Sequence, residues 1–523
     1  MLWAKKLAWL LENGYVTGKP YDHLLMKNTH FFILTLLTGC FMSCNVASQE
    51  QVTKGKFTTQ QLKQDLQIMR SSLENLHPGL YEYTPKKQMN AYFDSLFAAI
   101  KQPINELEFL RFIKPFLIKI KDGHTNIYPS ERAVLASRKQ QKFIPFGVRW
   151  LGKRVYLVEQ FTKQIKIPSG SEILAINQQP IKDILEALLY KYTTRDGYNE
   201  TFPRYLVNRA FGIAYYWYID QADKFAIKYK SPKGQINITT VAAASHQEIE
   251  QYFIKNPRQN QDKMLDLKVL NGNTAYLRVS SFASSQISSK GQSFHAFIDE
   301  SFQTIAQQKL KYLILDMRGN GGGNDALGAE IFKYLADKPF GFYKSIQTIT
   351  KRVENTQYFE GGLSYFNSSL GRRLRSLANG RYLVKSWPGL RQFSPKNKNR
   401  FKGKVYVLLD GGSFSSTTEF ASIIHHHKRA TFVGEESGGN YHTNTSGIMP
   451  ILVLPHTKIR IRMGLLQYRI EAGDYPKGQG ILPDYPVSYT IEDVLQKRDV
   501  VLDKTLDLIK QASQTELTHP NLT

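Results

Sequence analysis

The chain has 523 residues, 42% of them hydrophobic and 12% aromatic; it is too long for one ordinary core and too apolar for a disordered chain, so roughly two to four domains are expected. Its 69 Lys and Arg outnumber 44 Asp and Glu, a formal net charge of +25 that attracts anionic surfaces, yet no dense Lys/Arg block, zinc spacing or helix-turn-helix pattern points to nucleic acid as a partner. Only two cysteines are present, Cys40 and Cys44, which excludes a core disulfide, a thiolate metal site and a cysteine nucleophile downstream of them.

In chain order, the first element starts at Met26, where MKNTHFFILTLLTGCFMSCN carries Lys27, the apolar run Phe31–Leu37 and small residues before a cysteine. The run is too short to span a bilayer as a helix, which needs roughly 20 apolar residues. The segment resembles a bacterial lipoprotein signal, in which the cysteine becomes the lipidated first residue of the mature protein. Cys40 suits the small-residue pattern and Cys44 the usual signal length, so either is a candidate lipidation site. Residues 1–25 read as an upstream extension, 26–44 as the signal and 45–56 as a polar tether. The resemblance implies a protein held on the cell envelope by a lipid anchor, facing the periplasm or the exterior. A cytoplasmic chain with an apolar N-terminal helix is the alternative.

Helical spacing governs residues 57–130. Leu62, Leu66, Met69, Leu73 and Leu76 recur at intervals of four and three, behind a Thr58/Gln61 capping pair. The pattern stops at His77-Pro78-Gly79, resumes through Met89, Phe93, Leu96 and Ile100, and starts again at Asn105 with Glu108 three residues on. This last helix is expected to bend near Pro115 and to stop at Gly123, in Lys121-Asp122-Gly123-His124. Residues 140–245 turn β-rich, with FGVRW, VYLVE, FAIKYK and INITTV around GSEILAINQQPI at 170–181. That last segment resembles the G-D-x-I-L-x-I-N-G hairpin of PDZ domains, with Ser171 and Gln178 in place of the usual Asp and Gly. Over 264–495 the strands TAYLRVSSF, YLILDM, KVYVLLD and ATFVG alternate with helical patterns, which indicates an α/β layer with a mostly parallel sheet. Residues 340–400 are a long basic, aromatic excursion between two of those strands, and 496–523 read as a C-terminal helix and tail.

Two strand-to-helix turns carry candidate chemistry. In DMRGNGGGND, residues 316–325, three consecutive glycines leave backbone N–H groups bare near a helix N-terminus. Such a turn suits a bound anion or the oxyanion of acyl transfer, although it also serves simply to tolerate left-handed backbone. It is not a P-loop, because Lys and Ser/Thr do not follow the glycines. In DGGSFSSTTEF, residues 410–420, five hydroxyls stand close together: Ser413, Ser415, Ser416, Thr417 and Thr418. A capping box of Ser416 with Glu419 puts Ser416 at the N-cap and leaves Ser415 free to face a cleft. The plainer alternative is that all five hydroxyls only cap and line the turn. A serine nucleophile also needs a base.

At these motifs the sequence resembles the tail-specific, or C-terminal-processing, serine peptidases and their tricorn-like relatives. The family's D-L-R-x-N-x-G-G turn corresponds to Asp316-Met317-Arg318-Gly319-Asn320-Gly321-Gly322-Gly323, and its F-S-A-A-E-x-F-A segment to the stretch around Phe414-Ser415-Ser416 and Phe420-Ala421. Arg429-Ala430-Thr431 then begins 14 residues after Ser415, which selects Ser415 as the nucleophile; a slip of one residue would select Ser416. The resemblance implies a multidomain α/β protein: a helical N-terminal domain, a PDZ-like β-rich domain, and an α/β catalytic core of the ClpP/crotonase-like layered type. It implies an oxyanion hole built from the backbone N–H groups of Gly322 and Ser416, a polypeptide substrate and no cofactor.

The departures matter. The lysine base of the tail-specific branch falls at Asn440, in Gly434-Glu435-Glu436-Ser437-Gly438-Gly439-Asn440, and asparagine cannot take a proton. The tricorn-like branch instead supplies a histidine from a D-x-H-T motif, present here as Asp122-Gly123-His124-Thr125. Histidine, with an ordinary pKa of about 6.5, suits a general base at neutral pH. The third member is open. Lys477 stands where the tricorn-like glutamate precedes Gly480-Ile481-Leu482-Pro483-Asp484. Glu435, Glu436, Glu471 and Asp122 are substitutes, with Glu435 preferred for its place at a strand end beside the nucleophile helix. The consecutive His425, His426 and His427 point in different directions on a helix, so no metal is expected. Two rivals to an exported serine endopeptidase stand: a catalytically silent relative that binds peptide termini, and a non-peptidase acyl hydrolase using the same serine.

Overall fold

The computed structural model describes residues 55–256 and 263–518; Cys40, Cys44 and the signal-type segment lie outside the described residues. Three helices open the fold, α1 (Thr59–Leu76), α2 (Lys86–Ala99) and α3 (Glu106–Ile118). Both expected capping boxes form, Thr58 with Gln61 and Asn105 with Glu108, each satisfying two amides that a helix start otherwise leaves bare. The expected apolar stripe of α1 is buried throughout.

The end of α3 differs from expectation. The helix stops at Ile118, and the left-handed residue that turns the chain is Lys121 (φ 57°). Gly123 is required for another reason: a Cβ there would come within 2.7 Å of the Phe414 ring, next to the serine turn. The chain then enters β1 (Asn126–Tyr128), which pairs antiparallel with Arg460–Arg462, far along the sequence.

The next unit has its own core, around Phe146, Val155, Leu157, Ile173, Ile184, Val207 and Phe225. The main path of its six-stranded antiparallel sheet runs β6-β5-β4-β3-β2, from β2 (Phe146–Leu151), β3 (Arg154–Gln160), β4 (Glu172–Ile176), β5 (Lys224–Lys230) and β6 (Ile236–Ala242), with Gln179–Pro180 paired to β4 off that path. Between β4 and β5 runs the helical excursion that includes α4 (Thr201–Tyr218).

The third unit is a six-stranded sheet of β7 (Leu265–Leu270), β8 (Thr274–Val279), β9 (Tyr312–Asp316), then, beyond helix α5 (Asp325–Phe332), later strands of the chain. The basic excursion adds β10 (Tyr343–Thr348), β11 (Leu374–Ser376) and β12 (Tyr382–Val384). The chain returns to the main sheet through β13 (Lys404–Leu409), helix α6 (Ser416–His426) and β14 (Thr431–Gly434). After β15 (Thr443–Ser446), β16 (Arg460–Arg462) and β17 (Leu466–Ile470), it adds β18 (Tyr485–Pro486) and helix α7 (Val500–Thr518). The order is β7-β8-β9-β13-β14-β18, parallel except for β7. All five residues of β9 are buried, as a parallel strand covered on both faces must be. On one face Tyr312, Ile314, Leu408 and Val433 meet Val501, Leu508 and Ile509 of α7. The other face faces α5 and α6.

A second sheet, ordered β11-β12-β10-β17-β15, flanks this layer. One correction to the expected organisation concerns α1–α3. Their buried residues belong to the same continuous core as β8, β9, β13, α5 and α6, so the helical segment is part of the third unit's packing and not a separate core. Truncating a fully buried leucine such as Leu73 to alanine would cost about 2–5 kcal/mol. Among the described residues no helix is long and apolar enough to cross a membrane.

Candidate active site

Both turns singled out in the sequence lie at C-terminal ends of adjacent parallel strands, β9 and β13, the edge where α/β sheets gather ligands. Asp410 ties them together, accepting from Gly319 N–H (2.8 Å) and Gly412 N–H (2.9 Å). Ser413 Oγ donates to Met317 C=O (2.9 Å), and Phe414 N–H to Asn320 C=O (3.1 Å). Thr418 Oγ1 donates to Ser413 C=O (2.8 Å) and accepts from Gly439 N–H (3.1 Å). Three of the five hydroxyl residues therefore sort out: Ser413 and Thr418 are structural, and half-buried Ser415 stands at the junction.

Ser415 itself is the N-cap of α6, at φ 59° and ψ −130°, with no side-chain cap bond. A non-glycine residue there is strained by about 1–3 kcal/mol, and strain of this kind at a strand-to-helix turn presents a serine Oγ outward. The expected capping box does not form. Ser416 occupies the first helical position, and Glu419 is buried, its carboxylate accepting from Tyr343 OH and Asn444 Nδ2. These donors come from β10 and β15, so tertiary partners outcompete the local cap. Burial first, then the charge of Asp325, raises the Glu419 carboxyl above its ordinary range.

The structure brings His124 to this serine. His124 Nε2 lies 3.0 Å from Ser415 Oγ, across a sequence separation of 291 residues. The imidazole is 1% exposed and packs on Phe414, ring centroids 4.7 Å apart. Its backbone is fixed at both ends: His124 N–H donates to Asp122 Oδ1 (2.9 Å), and Arg462 Nε on β16 donates to His124 C=O (3.0 Å). The β1–β16 pairing thus delivers the histidine segment to the serine. Burial pushes the His124 pKa down to about 4; Asp122 opposes this and Arg462 adds to it.

Glu435, the preferred third residue, is not placed at the imidazole. It is exposed at the end of β14, its N–H bonded to Leu409 C=O (3.0 Å), with Gly411 N–H and the Asp410 charge beside its carboxylate. Glu436 accepts from Gly480 N–H (2.8 Å). Asp122 is the substitute found near the ring, Oδ1 3.8 Å from His124 Nδ1. Behind it stands a residue whose sequence context marks only a helix stop. His77, fully buried, places Nε2 2.8 Å from Asp122 Oδ2 and 2.7 Å from Thr125 Oγ1, while its Nδ1 accepts from Gly79 N–H at 3.2 Å. With Nδ1 an acceptor, Nε2 carries the proton and donates to the carboxylate. Burial works against the Asp122 charge, but the His77 hydrogen bond and the two imidazoles outweigh it and hold the carboxyl below its ordinary value.

Asp196 completes the cluster, accepting from Gly123 N–H (2.6 Å) and Asn440 N–H (3.3 Å). Burial, then the charge of Asp122, raises its pKa. Ligand-type atoms of Asp122, His124 and Asp196 lie within 4.8 Å of one another, but each side chain is already turned to the hydrogen bonds above. Asn440, at the position of the tail-specific lysine, donates through Nδ2 to Tyr83 OH. Lys477 donates to Glu82 C=O at 3.2 Å. The consecutive histidines serve packing: His425 Nδ1 meets Tyr441 OH at 3.1 Å, His426 Nδ1 accepts from Gly473 N–H (2.9 Å), and His427 lies on Phe332.

Of the two expected oxyanion donors, Ser416 N–H heads α6, where no intrahelical acceptor exists. The second departs from expectation: Gly322 N–H is held by Asn320 Oδ1 at 3.0 Å, a side-chain turn within the loop. Gly322 nonetheless faces the site, at φ 95°, and a Cβ there would lie 2.8 Å from Ser415 Cβ and 2.9 Å from Ser416 N.

Residues 273–487 match the family described as Peptidase family S41, and residues 140–255 match the PDZ domain. Among solved structures, mature CPAF is similar in fold, with a TM-score of 0.61 at 15% identity over 89% of this chain and 99% of that one. The photosystem II D1 C-terminal processing protease matches less well, with a TM-score of 0.39 at 13% identity over 82% of this chain and 93% of that one. A putative peptidase from Parabacteroides merdae gives a TM-score of 0.44 at 15% identity, over 86% and 96%. At 15% identity the likeness to mature CPAF speaks to fold alone, and the family assignment rests on the two sequence matches. The chain carries a catalytic domain of peptidase family S41 behind a PDZ domain, and is by that family a serine-type peptidase, a hydrolase.

Proposed function

We propose that the protein is an exported serine endopeptidase cleaving unfolded polypeptides or C-terminal tails, with Ser415 as nucleophile, His124 as general base and Asp122 as the acid that orients it. The observation that carries this reading is the 3.0 Å approach of His124 Nε2 to Ser415 Oγ. Nε2 takes the Oγ proton as Oγ bonds to the scissile carbonyl carbon, and the carbonyl oxygen gains charge beside Ser416 N–H. Collapse breaks the C–N bond, and the imidazolium returns its proton to the departing amine. Water then repeats the sequence on the acyl-enzyme, releasing the new carboxyl end. Asp122, fixed by His77, faces the imidazolium that forms in each half. The PDZ domain supports a role in admitting polypeptide ends. Export rests on the resemblance of residues 26–44 to a lipoprotein signal, with lipidation at Cys40 or Cys44.

Labelling with a fluorophosphonate probe, together with cleavage of a denatured protein, tests the assignment. Both are expected in the wild type and lost in Ser415→Ala. A folded wild type that takes no label sinks the reading, and turnover of small esters without protein cleavage assigns the serine to another acyl hydrolysis.

A further inference from the structure

The excursion of residues 340–400 takes no part in this chemistry, yet it holds 12 Lys and Arg against two Glu, 10 of the chain's net +25 charges. It folds as β10, β11 and β12, which run from the centre of the flanking sheet to one of its edges. Lys344, Arg375 and Lys385 line one open cleft, floored by Leu383, Val384 and Leu390. All three cations are exposed. Among the described residues none of them meets a carboxylate, whereas Arg318, Arg460 and Arg469 each do. Like charges gathered over an apolar floor repel one another, and an occupant bringing both negative charge and aliphatic groups relieves the two together.

The cleft's place matters as much as its charge. Just beyond Lys385, Trp387 Nε1 donates to Asp325 Oδ2 (3.1 Å), and Gly389 packs against the Tyr343 ring. Asp325 heads α5, directly after the glycine turn whose Gly322 abuts Ser415. Furthermore, β11, which carries Arg375, is the edge of its sheet, so its outer backbone groups offer a further strand somewhere to pair. A concave, strand-edged site suits an extended chain better than a flat lipid surface.

We propose that this cleft is a docking site for an acidic, leucine-containing stretch of the polypeptide being cleaved, its carboxylates meeting Lys344, Arg375 and Lys385 and its aliphatic side chain resting on Leu383 and Leu390. The inference rests on the peptidase reading of Ser415. Charge of this kind acts mainly on encounter and selection among partners, so it favours acidic substrates without changing the chemical step.

The test uses the full chain with Ser415→Ala, so that binding is read independently of turnover. Fluorescence anisotropy compares a fluorescein-labelled peptide rich in Asp, Glu and Leu with its Gln/Asn counterpart. The acidic peptide is expected to bind more tightly, to weaken as salt is added, and to lose about tenfold in affinity when Lys344→Glu, Arg375→Glu and Lys385→Glu are combined. On the Ser415 background, the same triple change should raise KM for the acidic peptide with kcat and fluorophosphonate labelling unchanged. Equal binding of both peptides, or a triple variant that binds the acidic one as before, overturns the proposal. Loss of binding to phosphatidylglycerol vesicles in the triple variant, with peptide affinity intact, would assign the cleft to membrane contact and overturn it as well. Failure of labelling in the wild type would instead strike the peptidase reading alone.

Discussion

Ser415 is held by its own turn, whereas His124 is held by residues scattered over the chain. Within ten residues of the serine, Asp410, Ser413, Phe414 and Thr418 anchor the loop to the glycine turn that follows β9 and to Gly439, and the strained backbone angle fixes where Oγ points. The histidine depends on Asp122 and His77 before it, Asp196 in the PDZ-side excursion and Arg462 on β16. A nucleophile can be specified locally because a turn sets its direction. A base has to be specified at a distance, because it must arrive from another part of the fold at hydrogen-bonding range.

The histidine side is the more sensitive of the two. His124→Ala should lower kcat/KM by roughly 10⁴-fold or more, and its combination with Ser415→Ala should be scarcely worse than either alone, since such groups act as a unit. Asp122→Asn should cost roughly 10²–10⁴-fold, by weakening support for the imidazolium, whereas Glu435→Gln should change the rate less than about threefold. Steady-state kinetics on one peptide substrate, with circular dichroism to confirm folding, decides between the two acids.

On the serine side, Gly322→Ala should reduce the labelling rate about a hundredfold and destabilise the fold by about 1–3 kcal/mol, because its methyl group strikes Ser415 and Phe414 at a positive φ. Stopped labelling time courses and thermal melts measure both. His77→Phe should lower kcat about tenfold at unchanged KM, while His77→Gln, which keeps a donor toward Asp122, should recover most of it. In an Asp122→Asn background the same His77→Phe change should cost less than about twofold, since the two residues share one hydrogen bond. Equal losses in both backgrounds would make His77 a packing residue only.

The smallest effect concerns pH. On the proposed assignment the base works in its neutral form, and burial lowers the His124 pKa to about 4. The acid limb of kcat/KM should therefore fall near pH 4 and not near the ordinary histidine value of about 6.5. A limb at 6 or above would place His124 in a wetter setting than the one described.

Local patterns in the sequence were legible wherever their partners are local. The capping boxes at Thr58 and Asn105, the buried stripe of α1 and the buried strand β9 all follow from spacing. The box at Ser416 did not form because Glu419 is claimed by Tyr343 and Asn444, which sequence spacing cannot place beside it. Nearness in the chain to the nucleophile helix favours Glu435, but the carboxylate at the imidazole is Asp122, two residues before His124. Its signal was the motif itself, since the residue at the second position before the histidine can cap that histidine's own N–H. His77 offered no such signal. Nor did the merged core of α1–α3 with the sheet, which joins buried residues far apart in the chain.

That short pairing has a consequence for the life of the chain. The histidine leaves the ribosome 291 residues before the serine, and the strand that locks its segment follows only at Arg460–Arg462. Until that strand is made, the histidine segment lacks the partner that β1 pairs with in the folded chain. On the proposed assignment, the approach of His124 to Ser415 therefore awaits the folding of Arg460–Arg462 back onto the first third of the chain.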